Sequence, residues 1–182
     1  GCDRPTFERV LPLLTLLGRR VLHTGAIGTA STLKVMTNYL ATANLLTCCE
    51  ALTTMAAAGI DLATTYEAMK ISSGTSFVHE TESQLILNGS RDVNFTMDLV
   101  LKDIGLFQKI AEKHNVPLEI SPMIIDIMKD GQKRYGERAN SDDIIRRLEE
   151  ATGLSILADG FPAELIDDEP EEKGYEVVPP GR

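Results

Sequence analysis

Hydrophobic residues recur every three or four positions along most of the chain, which is the spacing of a helix with one buried face. Gly, Pro or short polar loops separate these periodic segments. Asp61 is typical of a helix N-cap, Ser121 followed by Pro122 is typical of a cap and first helical position, and Gly89 marks a helix end. The pattern predicts helices at 7–17, 29–58, 62–69, 77–88, 97–114, 123–135 and 141–152. Only residues 20–23 are typical of a strand, and a lone strand needs partners. We therefore predict an all-helical body, and we expect the strand's partners in a segment upstream of Gly1.

The second predicted helix is unusually long. It contains no Gly or Pro between Thr29 and Ala58, and Gly59 supplies its end. Thirty residues correspond to a helix about 45 Å long. Its apolar residues lie on several sides rather than in one stripe, which is typical of a helix at the centre of a bundle or between two domains.

Composition limits the class of protein. No run approaches the roughly 20 apolar residues of a membrane helix, so we expect no membrane partner. The adjacent Cys48 and Cys49, with Cys2 far away, fit neither a disulfide framework nor a zinc site. The three histidines are scattered, so we expect no metal site. Reduced thiols favour a cytoplasmic location.

Negative charge is concentrated at the C-terminus. The net charge is -9, and the residues from Asp159 onward contribute eight acids against two bases, with four prolines. The remaining body is close to neutral, and we expect no nucleic-acid partner. We predict a solvated, weakly ordered extension over 159–182. The N-terminus lacks a signal sequence and an initiating Met, so the chain is expected to be part of a longer one.

The first candidate site is the turn and helix start from Gly25 to Asn38. Lys34 and Asn38 are four residues apart and so share one helix face. A proton donor beside an amide could hold an oxygen of a small substrate, with Lys34 as a general acid or base. Equally, Lys34 could be an ordinary exposed lysine.

The second candidate site lies between Phe95 and Leu106 and contains Lys102 and Asp103. By spacing alone, Lys102 could simply form an i,i+4 ion pair with Asp98, worth a few tenths of a kcal/mol.

Taken together, the two segments resemble a known family. The chain carries the pattern Gly-x-x-Gly-x-(Gly/Ala)-x-x-x-Lys-x-x-x-Asn, followed by Phe-x-x-x-Leu-x-x-Lys-Asp-x-Gly-Leu. These patterns resemble the β-hydroxyacid dehydrogenases, and in particular 3-hydroxyisobutyrate dehydrogenase and tartronate semialdehyde reductase. The resemblance covers about Phe7 to Thr152.

The resemblance implies an N-terminal Rossmann domain, a long interdomain helix and a helical domain like that of 6-phosphogluconate dehydrogenase. On this basis residues 1–28 would be the end of the nucleotide-binding domain and 29–153 an all-helical catalytic and dimerisation domain. Residues 154–182 would be the acidic tail.

The resemblance also implies roles for individual residues. Lys34 falls on the catalytic lysine, Asn38 on the substrate-binding asparagine and Lys102 on the lysine beside the nicotinamide. The Ser72 to Ser76 loop loosely matches a loop that lines the substrate pocket. Two positions depart from the family pattern, Ala30 in place of a glycine and Thr37 in place of an asparagine. They leave the substrate subgroup open.

The implied activity is hydride transfer between NAD or NADP and a small β-hydroxyacid. The 182 residues contain no Gly-x-Gly-x-x-Gly fingerprint. We therefore expect the cofactor to be bound mainly by the missing N-terminal domain, and the isolated chain to be inactive. The alternative is a non-catalytic helical dimerisation module. A homo-oligomer formed through the helical domain is expected in either case.

Overall fold

A computed structural model describes residues 1–167 and 169–181 of the chain and confirms the all-helical prediction. The α-helices are α1 (Arg4–Leu17), α2 (Thr29–Ala57), α3 (Leu62–Lys70), α4 (Phe77–Asn88), α5 (Met97–Lys113), α6 (Ile120–Tyr135) and α7 (Arg146–Thr152). A 3-10 helix (Ser141–Ile145) precedes α7, and two short strands are β1 (Arg20–Leu22) and β2 (Tyr175–Val177). No helix within the described residues is both long enough and apolar enough to cross a membrane.

Several helix ends form where the sequence indicates. The Asp61 carboxylate accepts the backbone N–H of Thr64 at 2.7 Å and so caps α3. Gly89 ends α4 in the left-handed region, with φ of 87°.

The predicted start of α6 is wrong, because the helix begins at Ile120 rather than Met123. Ser121 therefore lies inside the helix instead of capping it. Its hydroxyl is buried without a hydrogen-bond partner among the described residues. Pro122 is tolerated so close to the helix start because the first N–H groups have no intrahelical acceptor.

The chain forms two compact units, and the first comprises Gly1–Lys34 with the described part of Asp167–Arg182. Here β1 pairs in parallel with β2, with Val21 opposite Glu176. Arg19 forms ion pairs with Asp167 and Glu169 beside this pairing. Within the described residues, the partner of β1 thus comes from the C-terminal segment, a pairing that the sequence did not indicate. The prediction of a weakly ordered tail is wrong for Tyr175–Val177, because main-chain pairing there outweighs the unfavourable composition.

The second unit, Val35–Ile166, holds the main hydrophobic core. Buried side chains from α2 to α6 and from the 3-10 helix form one cluster. The segment after Gly153 also contributes, because Ile156 is fully buried and the Ala158 N–H donates to the Leu87 carbonyl at 2.9 Å. Ile156, which the boundaries implied by the resemblance assign to the acidic tail, thus packs in the core of this unit.

Candidate functional site

In the first unit, two glycines shape the turn that starts α2. Gly25 and Gly28 have φ values of 105° and 94°, which L-residues with a side chain rarely adopt. The Thr29 N–H donates to the Ala26 carbonyl, and the Thr32 N–H donates to the Gly28 carbonyl. The glycines therefore set where α2 begins. Lys34 follows near the start of this helix and is exposed.

In the second unit, Asn38 on α2 meets a buried acid on α5. The Asn38 Nδ2 donates to Oδ2 of Asp103 at 2.5 Å. Asp103 is only 2% exposed and belongs to the buried face of α5, together with Val100 and Ile104. A carboxylate on such a face requires polar partners, since burying an unpaired charge is very costly.

Lys102 provides a second partner for the same carboxylate. Its Nζ lies 3.2 Å from Oδ1 of Asp103, while the lysine side chain remains 58% exposed. The intrahelical pair with Asp98 considered above does not form among the described residues. Asp98 accepts a hydrogen bond from the Thr96 hydroxyl instead.

An aromatic stack lies next to this cluster. The rings of Tyr39 on α2 and Phe107 on α5 are stacked, with centroids 4.2 Å apart and planes 10° apart. Such a contact adds roughly 0.5–1.5 kcal/mol to the burial of the two rings. It fixes the spacing of the two helices at the level of Asn38 and Asp103.

The structure thus brings two of the three predicted site residues together. Asn38 and Lys102 share the Asp103 carboxylate, while Lys34 precedes Asn38 by four residues on the same continuous helix. The role predicted for the Ser72 to Ser76 loop stays a prediction. The Ser76 hydroxyl accepts the His79 N–H and caps α4.

The sequence interpretation named Asp103 but gave it no role. One signal could have revealed it: an acid at a position of α5 where the helical spacing demands an apolar side chain.

A second group of buried acids was missed altogether. Burial raises the pKa of Asp142 to about 7, and the charge of Asp143 adds to this increase. Burial also raises the pKa of Glu82 to about 7, helped by the charge of Asp142. Burial raises the pKa of the Cys49 thiol as well. The sequence Ser141-Asp142-Asp143 is typical of a helix start, and nothing local marks Asp142 as buried.

The residues present fit one edge of a nicotinamide cofactor site. Lys102 offers an exposed ammonium whose neighbouring carboxylate is anchored in the core. The glycine-rich cradle that holds the pyrophosphate in a Rossmann fold is not found in this sequence. A cofactor would therefore need further binding groups.

Comparisons with known proteins show which family the chain resembles. The family described as NAD-binding of NADP-dependent 3-hydroxyisobutyrate dehydrogenase matches residues 28–148. The chain is 30% identical over 157 residues to 2-(hydroxymethyl)glutarate dehydrogenase of Eubacterium barkeri, covering 86% of this chain and 52% of that protein. It is 27% identical over 137 residues to L-threonate dehydrogenase of Escherichia coli K12, covering 74% and 45%.

A solved structure shows the same fold. The crystal structure of 3-hydroxyisobutyrate dehydrogenase from Salmonella typhimurium matches with a TM-score of 0.72 at 23% identity, covering 80% of this chain and 51% of that one. The chain thus spans about half the length of the curated relatives that it matches. Because the family match at residues 28–148 spans well over half of the chain, the chain belongs to the 3-hydroxyisobutyrate dehydrogenase family of β-hydroxyacid dehydrogenases.

Proposed function

We propose that the complete natural protein is an NAD(P)-dependent dehydrogenase of a small β-hydroxyacid, with Lys34 as its general acid and base. The observation that carries this proposal is the shared carboxylate of Asp103. It joins Asn38 from the first motif to Lys102 from the second. Two segments distant in sequence thereby present polar groups at one place on the helical unit.

Each group has a chemical task in this reaction. Lys34 takes the hydroxyl proton of the substrate during oxidation and returns it during reduction. Asn38 binds the same oxygen and positions it next to the lysine. Lys102 adds positive potential on the cofactor side. The bound nicotinamide supplies the hydride acceptor or donor.

Membership in a family of hydroxyacid dehydrogenases supports this assignment. The relatives are about twice as long as the matched region, and the nucleotide-binding fingerprint is not found in the printed sequence. We therefore expect the 182-residue chain by itself to show no turnover. Formation of NADH or NADPH from a β-hydroxyacid by the isolated chain would contradict this expectation.

The decisive test is Lys34→Ala in the complete protein. Loss of the general acid and base should lower kcat by about two to four decades. Steady-state kinetics on a panel of β-hydroxyacids, with each cofactor, measures the loss and identifies the substrate. The matched control is Lys109→Ala, because Lys109 is an exposed lysine on α5 with no role in the proposal. A loss of less than threefold for Lys34→Ala would remove the lysine from the mechanism.

A further inference from the structure

We propose that Asp103 is a positioning residue, which fixes the orientation of the Asn38 amide and holds Lys102 in place for the reaction. This inference rests on the proposed function, because it assigns Asp103 a task through two residues of that site. It also makes a structural claim that can be measured without any activity.

The chemistry of the three groups determines which way Asn38 faces. The Lys102 ammonium lies 3.2 Å from Oδ1 of Asp103, so the buried acid has a cationic partner that favours its ionised form. An ionised carboxylate can only accept hydrogen bonds. The end of the Asn38 amide that faces Oδ2 must therefore be the nitrogen, because a flipped amide would place two acceptors together.

This orientation defines what Asn38 can offer to a ligand. With one hydrogen of Nδ2 committed to Asp103, the second hydrogen of the same nitrogen remains as a donor. That N–H suits the substrate oxygen, which accepts a hydrogen bond both as the hydroxyl whose proton goes to Lys34 and as the carbonyl of the oxidised form. Without Asp103, the amide could rotate and present its carbonyl oxygen instead, so part of the population would be misoriented.

The surrounding packing allows the orienting role of Asp103 to be distinguished from a role in holding the helices together. The Tyr39–Phe107 stack holds α2 and α5 together beside the cluster, and it does not involve the carboxylate. Replacing Asp103 by the isosteric asparagine removes the charge and one acceptor oxygen, so it should leave the helix spacing intact while weakening the constraint on the amide. The effect should then be seen in side-chain orientation and catalysis rather than in the fold.

The kinetic test is a double-mutant cycle in the complete protein, with Asp103→Asn, Asn38→Ala and both together. Loss of an orienting partner typically costs 10- to 100-fold, so Asp103→Asn should lower kcat by about that factor and change KM less. If Asp103 acts through Asn38, the double variant should be within about threefold of Asn38→Ala alone. Losses that multiply, or an Asp103→Asn variant with unchanged kcat, would overturn the inference.

The structural test uses the side-chain amide resonances of 15N-asparagine-labelled protein. The Asn38 signal is identified by its disappearance in Asn38→Ala. In Asp103→Asn its amide protons should move upfield and exchange faster with solvent, because the hydrogen bond to a carboxylate is lost. Asp126→Asn, at an exposed position on α6, is the matched control and should leave the signal unchanged. An Asn38 signal that is identical with and without the Asp103 carboxylate also overturns the inference.

These outcomes distinguish the two proposals. If Lys34→Ala retains full activity, the proposed function fails, while the Asn38 resonances still report on Asp103. If Lys34→Ala is inactive and Asp103→Asn is normal, only the positioning role fails. Far-ultraviolet circular dichroism confirms that each variant is folded. If Asp103→Asn unfolds at the assay temperature, Asp103→Ser takes its place in both the double-mutant cycle and the amide spectra.

Discussion

Two buried aspartates in the second unit differ sharply in their surroundings. Asp103 is 2% exposed and has both an amide and an ammonium at its oxygens. Asp142 is 0% exposed, and within residues 1–167 and 169–181 neither of its oxygens has a side-chain or main-chain partner in hydrogen-bonding geometry. Burial is therefore the same for both, and the partners decide what each acid can do.

The consequence for Asp142 is that it retains a proton up to neutral pH. Burial raises its pKa to about 7, and the nearby backbone N–H groups and Arg91 offset only part of this increase. Glu82, whose pKa is also raised to about 7, has the charge of Asp142 nearby. The partners of Asp103 thus favour its ionised form, which accepts hydrogen bonds. Asp142 and Glu82 instead take up protons near neutral pH. The comparison can be tested at both places.

The largest expected effect is a pH dependence of stability from Asp142. Its pKa in the folded state exceeds its unfolded value, so the native state binds the proton more tightly and stability falls as pH rises. The contribution is complete below about pH 4 and is lost as pH passes through about 7. A shift of this size corresponds to about 4 kcal/mol. Urea unfolding from pH 5 to 8, compared between the natural protein and Asp142→Asn, should show a flatter profile for the variant. Parallel profiles would refute the assignment.

A smaller effect of opposite sign should separate the two aspartates at one pH. At pH 8, Asp142→Asn should stabilise the protein, because it removes a buried charge that lacks good partners. Asp103→Asn should destabilise it by about 1–3 kcal/mol, because it removes a charged acceptor from the Asn38 amide. Thermal unfolding of the two variants side by side measures both signs. The same sign for both would show that partners matter less than burial.

The smallest effect concerns which partner of Asp103 contributes more to stability. Lys102 is 58% exposed, so its ion pair is screened by solvent, and Lys102→Met should cost only about 0–1 kcal/mol. Asn38→Ala should cost more, because Asn38 is half-buried and its loss leaves Asp103 without that donor. Urea midpoints compare the two variants, with Lys109→Met on the same helix as control. A larger cost for Lys102→Met would reverse this ranking.

Much of the fold could be predicted from local signals. The interval without Gly or Pro from Thr29 to Ala58 predicted α2, which ends at Ala57. Asp61 marked the start of α3 because its carboxylate caps the first turn of that helix. Gly89 marked the end of α4 because it has no side chain and readily adopts the left-handed conformation. Local signals failed at Ser121-Pro122 and at Tyr175–Val177. In the second case the pairing partner, β1, is more than 150 residues away in sequence.

Part of the candidate site could also be predicted from local signals. The spacing of Lys34 and Asn38 follows from helix geometry, and their assignment together with Lys102 came from the family resemblance. The contact of Asn38 with Asp103 was not predictable, since it depends on how α2 packs against α5.

The sequence alone therefore determined the helices, the turn at Gly25 and Gly28, and the family, because these depend on neighbouring residues and on motif patterns. Only the tertiary structure decided that Asp103 meets an amide and an ammonium, while neither oxygen of Asp142 has a partner in hydrogen-bonding geometry among the described residues. The physical reason is that the state of a buried acid depends on the groups that packing places within hydrogen-bond distance. For Asp103, the ammonium belongs to the adjacent residue of α5, whereas the amide comes from α2, which is far from α5 along the chain.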